Sequence, residues 1–236
     1  MCTVSMVPVK AGYVFTFNRD EQPLRQTPHY KVHEDLGYKN IYFAMDSKAG
    51  GTWFGADNRG NIAMLFNGAF DKHQKQETYT KSRGIILLEL LRSPAMFEDF
   101  QHKSLYHTEP FSVILLEDKK LYRLSWDGIT KHIQLLDSNT PHIFSSATLY
   151  ENEIQQQRKT WLDNFLNKQL QVTDETVYHF HASHNITDRE NGLCIAREGS
   201  CSTLSISQAI WQEDHIRIRH KDLVTGQLYQ QDILLQ

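Results

Sequence analysis

Apolar positions in the first third of the chain come in short runs separated by turn-forming residues. Thr3 to Val9 and Tyr13 to Phe17 flank a Lys10-Ala11-Gly12 break, which predicts a two-stranded hairpin rich in Val, Phe and Tyr. Ile41 to Met45 reads as a short strand. Thr52 to Gly55 and Asn61 to Asn67 predict a second hairpin across Asp57-Asn58-Arg59-Gly60. Its strands are apolar nearly throughout, as in a sheet covered on both faces. Between the two hairpins, Gln22 to Asn40 is polar and carries Pro23 and Pro28, so it predicts a long surface loop.

The period then lengthens. From about Thr80, with Ser82 as a cap, Ile85, Leu88 and Leu91 recur at helical spacing. Ser93-Pro94 reads as a second helix start, a serine cap with proline in the first turn, and Met96, Phe97 and Phe100 form its buried stripe. Strands are predicted at Phe111 to Leu116, Leu121 to Trp126, Lys131 to Leu136 and His142 to Thr148, with Asp127-Gly128 as a hairpin turn. Glu151 to Leu170 predicts a long amphipathic helix, and Asp174 to His181 a shorter one capped by Thr173. Three closing strands run from Thr203 to Trp211, His215 to His220 and Gln227 to Leu235. This order indicates an α+β chain with two mainly antiparallel sheets and helices outside them; a doubly wound parallel sheet would need strict strand–helix alternation.

The 236 residues suit one large domain spanning residues 1–236. A net charge of −3 gives no electrostatic case for nucleic acid or an anionic membrane. The longest apolar run, Ile85 to Leu88, is too short to span a bilayer, and Met1 to Lys10 lacks the basic and apolar regions of a signal peptide. Cys2, Cys194 and Cys201 are an odd number at no metal-finger spacing, which predicts reduced thiols in the cytoplasm. Cys194 and Cys201 read as small packing residues.

Candidate chemistry concentrates at the start of the chain. A hairpin returns Arg19 and Asp20 to the neighbourhood of Cys2. Removal of Met1 would leave the Cys2 α-amine beside its own sulfur, where an amine can act as the base that activates the nucleophile. A free thiol titrates at roughly 8.5 and an α-amine at roughly 7.7 to 8, so the two are matched near neutrality. Arg19 would favour the thiolate, and Asp20 would hold the amine. His179, His181 and His184 lie close in sequence, but His179 and His181 fall on different helical faces. They predict a solvated helix end and no metal site.

Met1-Cys2-Thr3 with Asn18-Arg19-Asp20-Glu21, followed by Gly50-Gly51-Thr52-Trp53-Phe54-Gly55, Arg59-Gly60-Asn61 and Leu65-Phe66-Asn67, resembles the NRDE (transport and Golgi organisation 2-like) family. The resemblance implies an N-terminal-nucleophile hydrolase-like fold of four layers, αββα, with two stacked sheets between helical layers. It implies a catalytic set of Cys2, Arg19, Asp20 and Asn67, the last as a side-chain donor to an oxyanion. Asn18, Glu21, Trp53 and Ser146 would be binding residues, Asn18 through an Asx-type turn and Glu21 through a surface pair. The chain departs from the family pattern at Ser145-Ser146, where relatives carry serine-asparagine. It also departs at Ser200, where they carry an arginine that Arg197 could replace. The leading expectation is hydrolysis of a small non-peptide amide with no required cofactor. The alternative is a ligand carrier involved in haem trafficking or acyl-CoA/lipid homeostasis, with haem as a possible ligand. The partner in either case is a small molecule.

Overall fold

The structure is a computed structural model that describes residues 2–23, 25 and 32–236, residue 32 through its backbone alone. In chain order the strands are β1 (Cys2–Val9), β2 (Gly12–Glu21), β3 (Val32–Asp35), β4 (Asn40–Met45), β5 (Thr52–Asp57) and β6 (Ile62–Asn67). Helices α1 (Arg83–Arg92) and α2 (Met96–His102) follow, then β7 (Phe111–Glu117), β8 (Lys120–Trp126), β9 (Lys131–Leu136) and β10 (His142–Ser145). Helices α3 (Asn152–Leu166) and α4 (Asp174–Ser183) precede β11 (Ala196–Arg197), β12 (Cys201–Trp211), β13 (His215–Asp222) and β14 (Leu228–Leu234).

The strands form two antiparallel sheets. One has the order β10-β1-β2-β12-β13-β14, with β11 on β12; the other is a meander from β3 to β9. Alternation along each strand assigns its two faces. Val4, Met6, Phe15 and Phe17 of the first sheet meet Phe54, Met64, Phe66 and Ile114 of the second in the central core. The opposite face of the meander packs Ile41, Leu65, Val113 and Leu115 against Ile86, Leu87, Leu91 and Phe100 of α1 and α2. Val7, Val14 and Ile210, on the outer face of the first sheet, meet Leu162 of α3 and Val177 and Phe180 of α4. The result is the four-layer αββα stack. Among the described residues, no helix is long and apolar enough to cross a membrane.

Local sequence predicts most boundaries to within a few residues, and the departures have physical causes. Val32–Asp35 is a strand where a loop was expected: it pairs with β4 at the sheet edge, where polar residues are tolerated because one side lacks a neighbour. The rest of that loop prediction between residues 24 and 31 lies outside the described residues, Arg25 excepted. Helix α2 does not start at Ser93-Pro94. Ser93 accepts the Ala95 N–H in a turn, and the helix opens at Met96, whose N–H and that of Phe97 donate to the Glu117 carboxylate (2.6 and 2.8 Å). A carboxylate from β7 therefore satisfies the helix start that a local cap would serve. The His142 strand stops at Ser145, and a turn carries Ser146 to Tyr150. Ser82 and Thr173 do cap α1 and α4, Thr173 in a reciprocal capping box with Thr176.

Candidate active site

Cys2 and Arg19 are register partners in the β1–β2 hairpin, so both side chains project towards the space between the sheets. Cys2 caps the end of the apolar core and is 5% exposed. Beyond it a cleft of about 660 Å³ opens, lined by Cys2, Arg19, Glu21, Trp53, Asn67 and Thr148 among others. The Arg19 guanidinium lies 4.3 Å from the Trp53 ring centroid and donates to Asp46 (3.1 Å). Arg25 also donates to Asp46 (2.7 Å) and to Glu21 (3.0 Å). These pairs pin the end of β2 to the turn after β4.

Strand alternation turns the Asp20 carboxylate to the face of the sheet opposite Arg19. There it accepts from the hydroxyls of Tyr150 (2.8 Å) and Thr203 (2.6 Å). The expectation that the sulfur, guanidinium and Asp20 carboxylate meet in one cleft is therefore corrected for Asp20. Asn18 also faces the helical layer. It is fully buried in β2, not in an Asx turn, and its amide donates to the carbonyls of His181 and Leu193 (3.0 and 2.8 Å).

Ser146 stitches the two sheets together behind the cleft. Its N–H donates to the Cys2 carbonyl (2.9 Å), and its hydroxyl donates to the Asn67 carbonyl (2.8 Å). That hydroxyl also lies 2.9 Å from the Thr148 hydroxyl. Gly68, at φ +82°, makes the approach possible, because a Cβ there would stand 3.1 Å from Ala147 Cβ. Arg197, the possible substitute for Ser200, donates to the Glu190 carbonyl on the surface and is not among the cleft-lining residues.

Three polar residues without a motif complete the support. Arg158 of α3 is fully buried; it donates to Thr3 Oγ1 (2.5 Å), Ser145 Oγ (3.0 Å) and the Gly192 carbonyl (2.6 Å), and stacks 3.7 Å from the Tyr150 ring centroid. His181 is fully buried, which corrects the solvated helix end, with its ring nitrogens 2.7 Å from Ser5 Oγ and 2.8 Å from Asn18 Oδ1. Tyr150 closes the link to Asp20. The available sequence signal is the polar face of β1 and β2: Thr3, Ser5 and Thr16 alternate with apolar residues, Asn18 and Asp20 continue the same face, and all are buried, so polar partners must cover them.

Electrostatics follows burial. Burial pushes the Cys2 thiol up, a direction reinforced by Asp20 and opposed by Arg19. Burial also raises the Asp20 carboxyl, against the bond from Thr203 and the charge of Arg158. Burial and the Arg158 charge lower His181 to about 3, so it is neutral. Cys194 and Cys201 are free thiols raised to about 12, chiefly by burial. Among the described residues, no cluster of three or more His, Cys, Asp or Glu could hold a metal ion.

Residues 1–209 match the family described as Transport and Golgi organisation 2. The chain belongs to that family. No curated protein sequence matches it. Among solved structures, this Transport and Golgi organisation 2 chain is similar to a Caenorhabditis elegans ortholog of N-acylethanolamine-hydrolyzing acid amidase. The TM-score is 0.59 at 12% identity, covering 88% of this chain and 92% of the other. It is also similar to a cysteine-to-alanine mutant of conjugated bile acid hydrolase from Clostridium perfringens, with TM-score 0.54, 8% identity and coverage of 99% and 92%. An arginine-to-leucine variant of that hydrolase gives TM-score 0.55, 10% identity and coverage of 98% and 92%. At such identities the likeness is one of fold: this family member has the N-terminal-nucleophile hydrolase-like architecture.

Proposed function

We propose that the cleft is the active site of a cysteine amidase acting on a small non-peptide amide. The observation that carries this reading is the register pair of Cys2 and Arg19 lining a cleft that Asn67 also lines. Removal of Met1 exposes the Cys2 α-amine, which takes the proton of the neighbouring thiol. The thiolate attacks the amide carbonyl carbon, the C–N bond breaks, and the amine leaves with the proton held by the α-ammonium. Water then adds to the thioester, the C–S bond breaks, and acid and free thiol result. The Asn67 side chain donates to the oxyanion of both tetrahedral intermediates, a contribution of about 3 kcal/mol. Burial works against thiolate formation, and the charge of Arg19 works for it. Asp20 acts as a positioning residue, its carboxylate held by the Tyr150 and Thr203 hydroxyls on the face of β2 opposite Arg19.

A second reading, a ligand carrier for haem or an acyl-CoA/lipid, is favoured by one observation. The Ser146 hydroxyl is committed to the Asn67 carbonyl and supplies no amide donor. Free thiols at all three cysteines fit a reducing, cytoplasmic setting for either reading. The test offers acyl-amides, haem and acyl-coenzyme A to wild type and Cys2→Ala, with the intact mass of the purified protein recorded. Amide cleavage that falls by several orders of magnitude in Cys2→Ala while affinity persists supports the amidase. Retained Met1, or saturable haem or acyl-coenzyme A binding without amide cleavage by wild type, decides against it.

A further inference from the structure

Strand β9 closes the meander and, among the described residues, pairs with β8 alone. The Asp127 N–H donates to the Thr130 carbonyl (3.2 Å) and closes the β8–β9 turn. Hydrogen-bonded and open pairs alternate from there, so the backbone groups of Lys131, Ile133 and Leu135 point away from β8. Their side chains share the outer face of the sheet with Leu124 and Tyr122, the register partners of Ile133 and Leu135. Helix α2 packs Phe97 on the Tyr122 ring (4.5 Å between centroids) and accepts Lys131 Nζ at the Gln101 carbonyl (2.7 Å). Beyond the helix, Ile133 stays 42% exposed and Leu135 66%. Neither proline nor bulge interrupts this edge, and its register on β8 is unbroken.

Other sheet edges are guarded. Strand β3 reads Val-His-Glu-Asp, β10 is only four residues long, and Asp232 of β14 pairs with Arg217 (2.8 Å). The match for β9 lies in its own sequence. Antiparallel pairing with a second copy, with Gln134 opposite Gln134 on a two-fold axis, sets Ile133 against Leu135 on either side of that axis. It also sets Lys131 against Asp137, because alternation carried one residue past β9 keeps Asp137 on this face. Asp137 is exposed, and the Lys131 ammonium has donors beyond the one given to Gln101. Sliding the copies by two residues would oppose Lys131 to Leu135 or Asp137 to Ile133, so charge and apolarity select a single register. In that register Ile133 and Leu135 both present outward backbone groups, and each such pair exchanges both of its hydrogen bonds.

We propose that the protein forms a two-fold dimer through β9, which continues the meander of one copy into that of the other. Such an interface is self-complementary and closed, so it covers this edge without building a fibre. The cleft-lining residues include none from β9, so the cleft of each copy stays open. One strand pair with its outer-face side chains belongs to the small-interface class, with a dissociation constant on the order of 10 μM.

Sedimentation velocity of the full chain from about 1 to 100 μM reads the association directly. Wild type is expected to pass from monomer to dimer across this range. Leu135→Lys, a change at an exposed side chain, weakens the dimer by about tenfold or more, because like charges then meet an apolar partner across the axis. Leu234→Lys, at the edge of β14, leaves it unchanged. Circular-dichroism melting establishes that each variant is folded. Gln134→Cys tests the register. An open antiparallel pair brings its Cα atoms to about 4.5 Å, within the range a disulfide spans. Oxidised glutathione is therefore expected to link Gln134→Cys protein into a covalent dimer on non-reducing gels, with wild type as the control for the native thiols. A monomer throughout the range, a dimer indifferent to Leu135→Lys, one lost with Leu234→Lys, or no linkage of Gln134→Cys beyond wild type overturns the proposal.

Discussion

Arg158 donates to the Thr3 hydroxyl at 2.5 Å, so a helix on the outer layer grips the residue that follows the candidate nucleophile. The same guanidinium holds Ser145, the register partner of Thr3, and lies on Tyr150, which in turn bonds Asp20. A single cation thus offsets the buried Asp20 charge and locks β1 to β10. Arg158→Leu is expected to lower stability by about 3 kcal/mol or more, because buried acceptors and a buried carboxyl lose their partner. Arg158→Lys restores the charge without the fork and recovers only part of the loss. Urea unfolding of the three proteins measures both.

Gly51→Ala tests how α1 is seated. The added methyl group meets the backbone of Gly84 and Ile85, not a movable side chain. Overpacking of this kind typically costs about 1–3 kcal/mol. The variant is expected to melt lower, and the fluorescence of Trp53, two residues away, is expected to shift as the helix start moves.

Lys39 and Asp57 form an ion pair (3.1 Å) whose side chains are both fully buried. Asp57 also accepts the backbone N–H groups of Arg59 and Asn61, holding the β5–β6 turn, and Lys39 reaches the Ser93 carbonyl (2.7 Å). Lys39→Met strands the carboxylate and is expected to cost about 3–5 kcal/mol. Lys39→Met with Asp57→Asn should recover much of that loss, since no unpaired charge then remains. Denaturant midpoints of the single and double variants decide it.

His181 gives the fold a dependence on pH. Its folded value is about 3, against about 6.5 for an unfolded histidine. Below that unfolded value, the unfolded chain binds a proton that the folded chain refuses. Stability therefore falls as pH drops from about 6.5 towards 3, by up to about 1.4 kcal/mol per pH unit. Asp20, raised by burial, works in the opposite direction at the acid end, so the comparison must isolate the histidine. His181→Gln has no proton to bind. The slope of unfolding free energy against pH should be shallower than wild type by one proton across this window.

The parts of the molecule legible in its sequence are those governed by local rules. The apolar runs Thr3 to Val9 and Tyr13 to Phe17 with their glycine break, the Ser82 and Thr173 caps, and the motif around Cys2 and Arg19 each act within a few residues. What could not be read was fixed by distant groups. Glu117 opens α2 from another strand, and β4 converts Val32–Asp35 from loop to edge strand. The side of the sheet taken by the Asp20 carboxylate was implicit in its parity with Arg19, but the need for Tyr150 and Thr203 to receive it was not. His181 shows the same limit. Its helical position suggested solvent, yet Ser5 and Asn18 wait for it across the layer.

The two sheets differ in how the chain supplies them, and this sets an order of assembly. The β3–β9 meander pairs strands consecutive in the chain, and every pairing except β6–β7, which spans α1 and α2, closes a short loop. In the other sheet, β1 and β2 wait for β10 and β12, which arrive from the far end of the chain. Contacts so distant in sequence are slow to form. During synthesis, the hairpin carrying Cys2 and Arg19 therefore stays open on its β1 flank until residues 142–145, and on its β2 flank until residues 201–211, have been made. Pulse-labelling hydrogen exchange during refolding should find the amides of β5 to β8 protected before those of β1 and β2; simultaneous protection would show that the sheets form together. The hairpin that joins Cys2 to Arg19 thus forms from local contacts and is flanked only by distant ones.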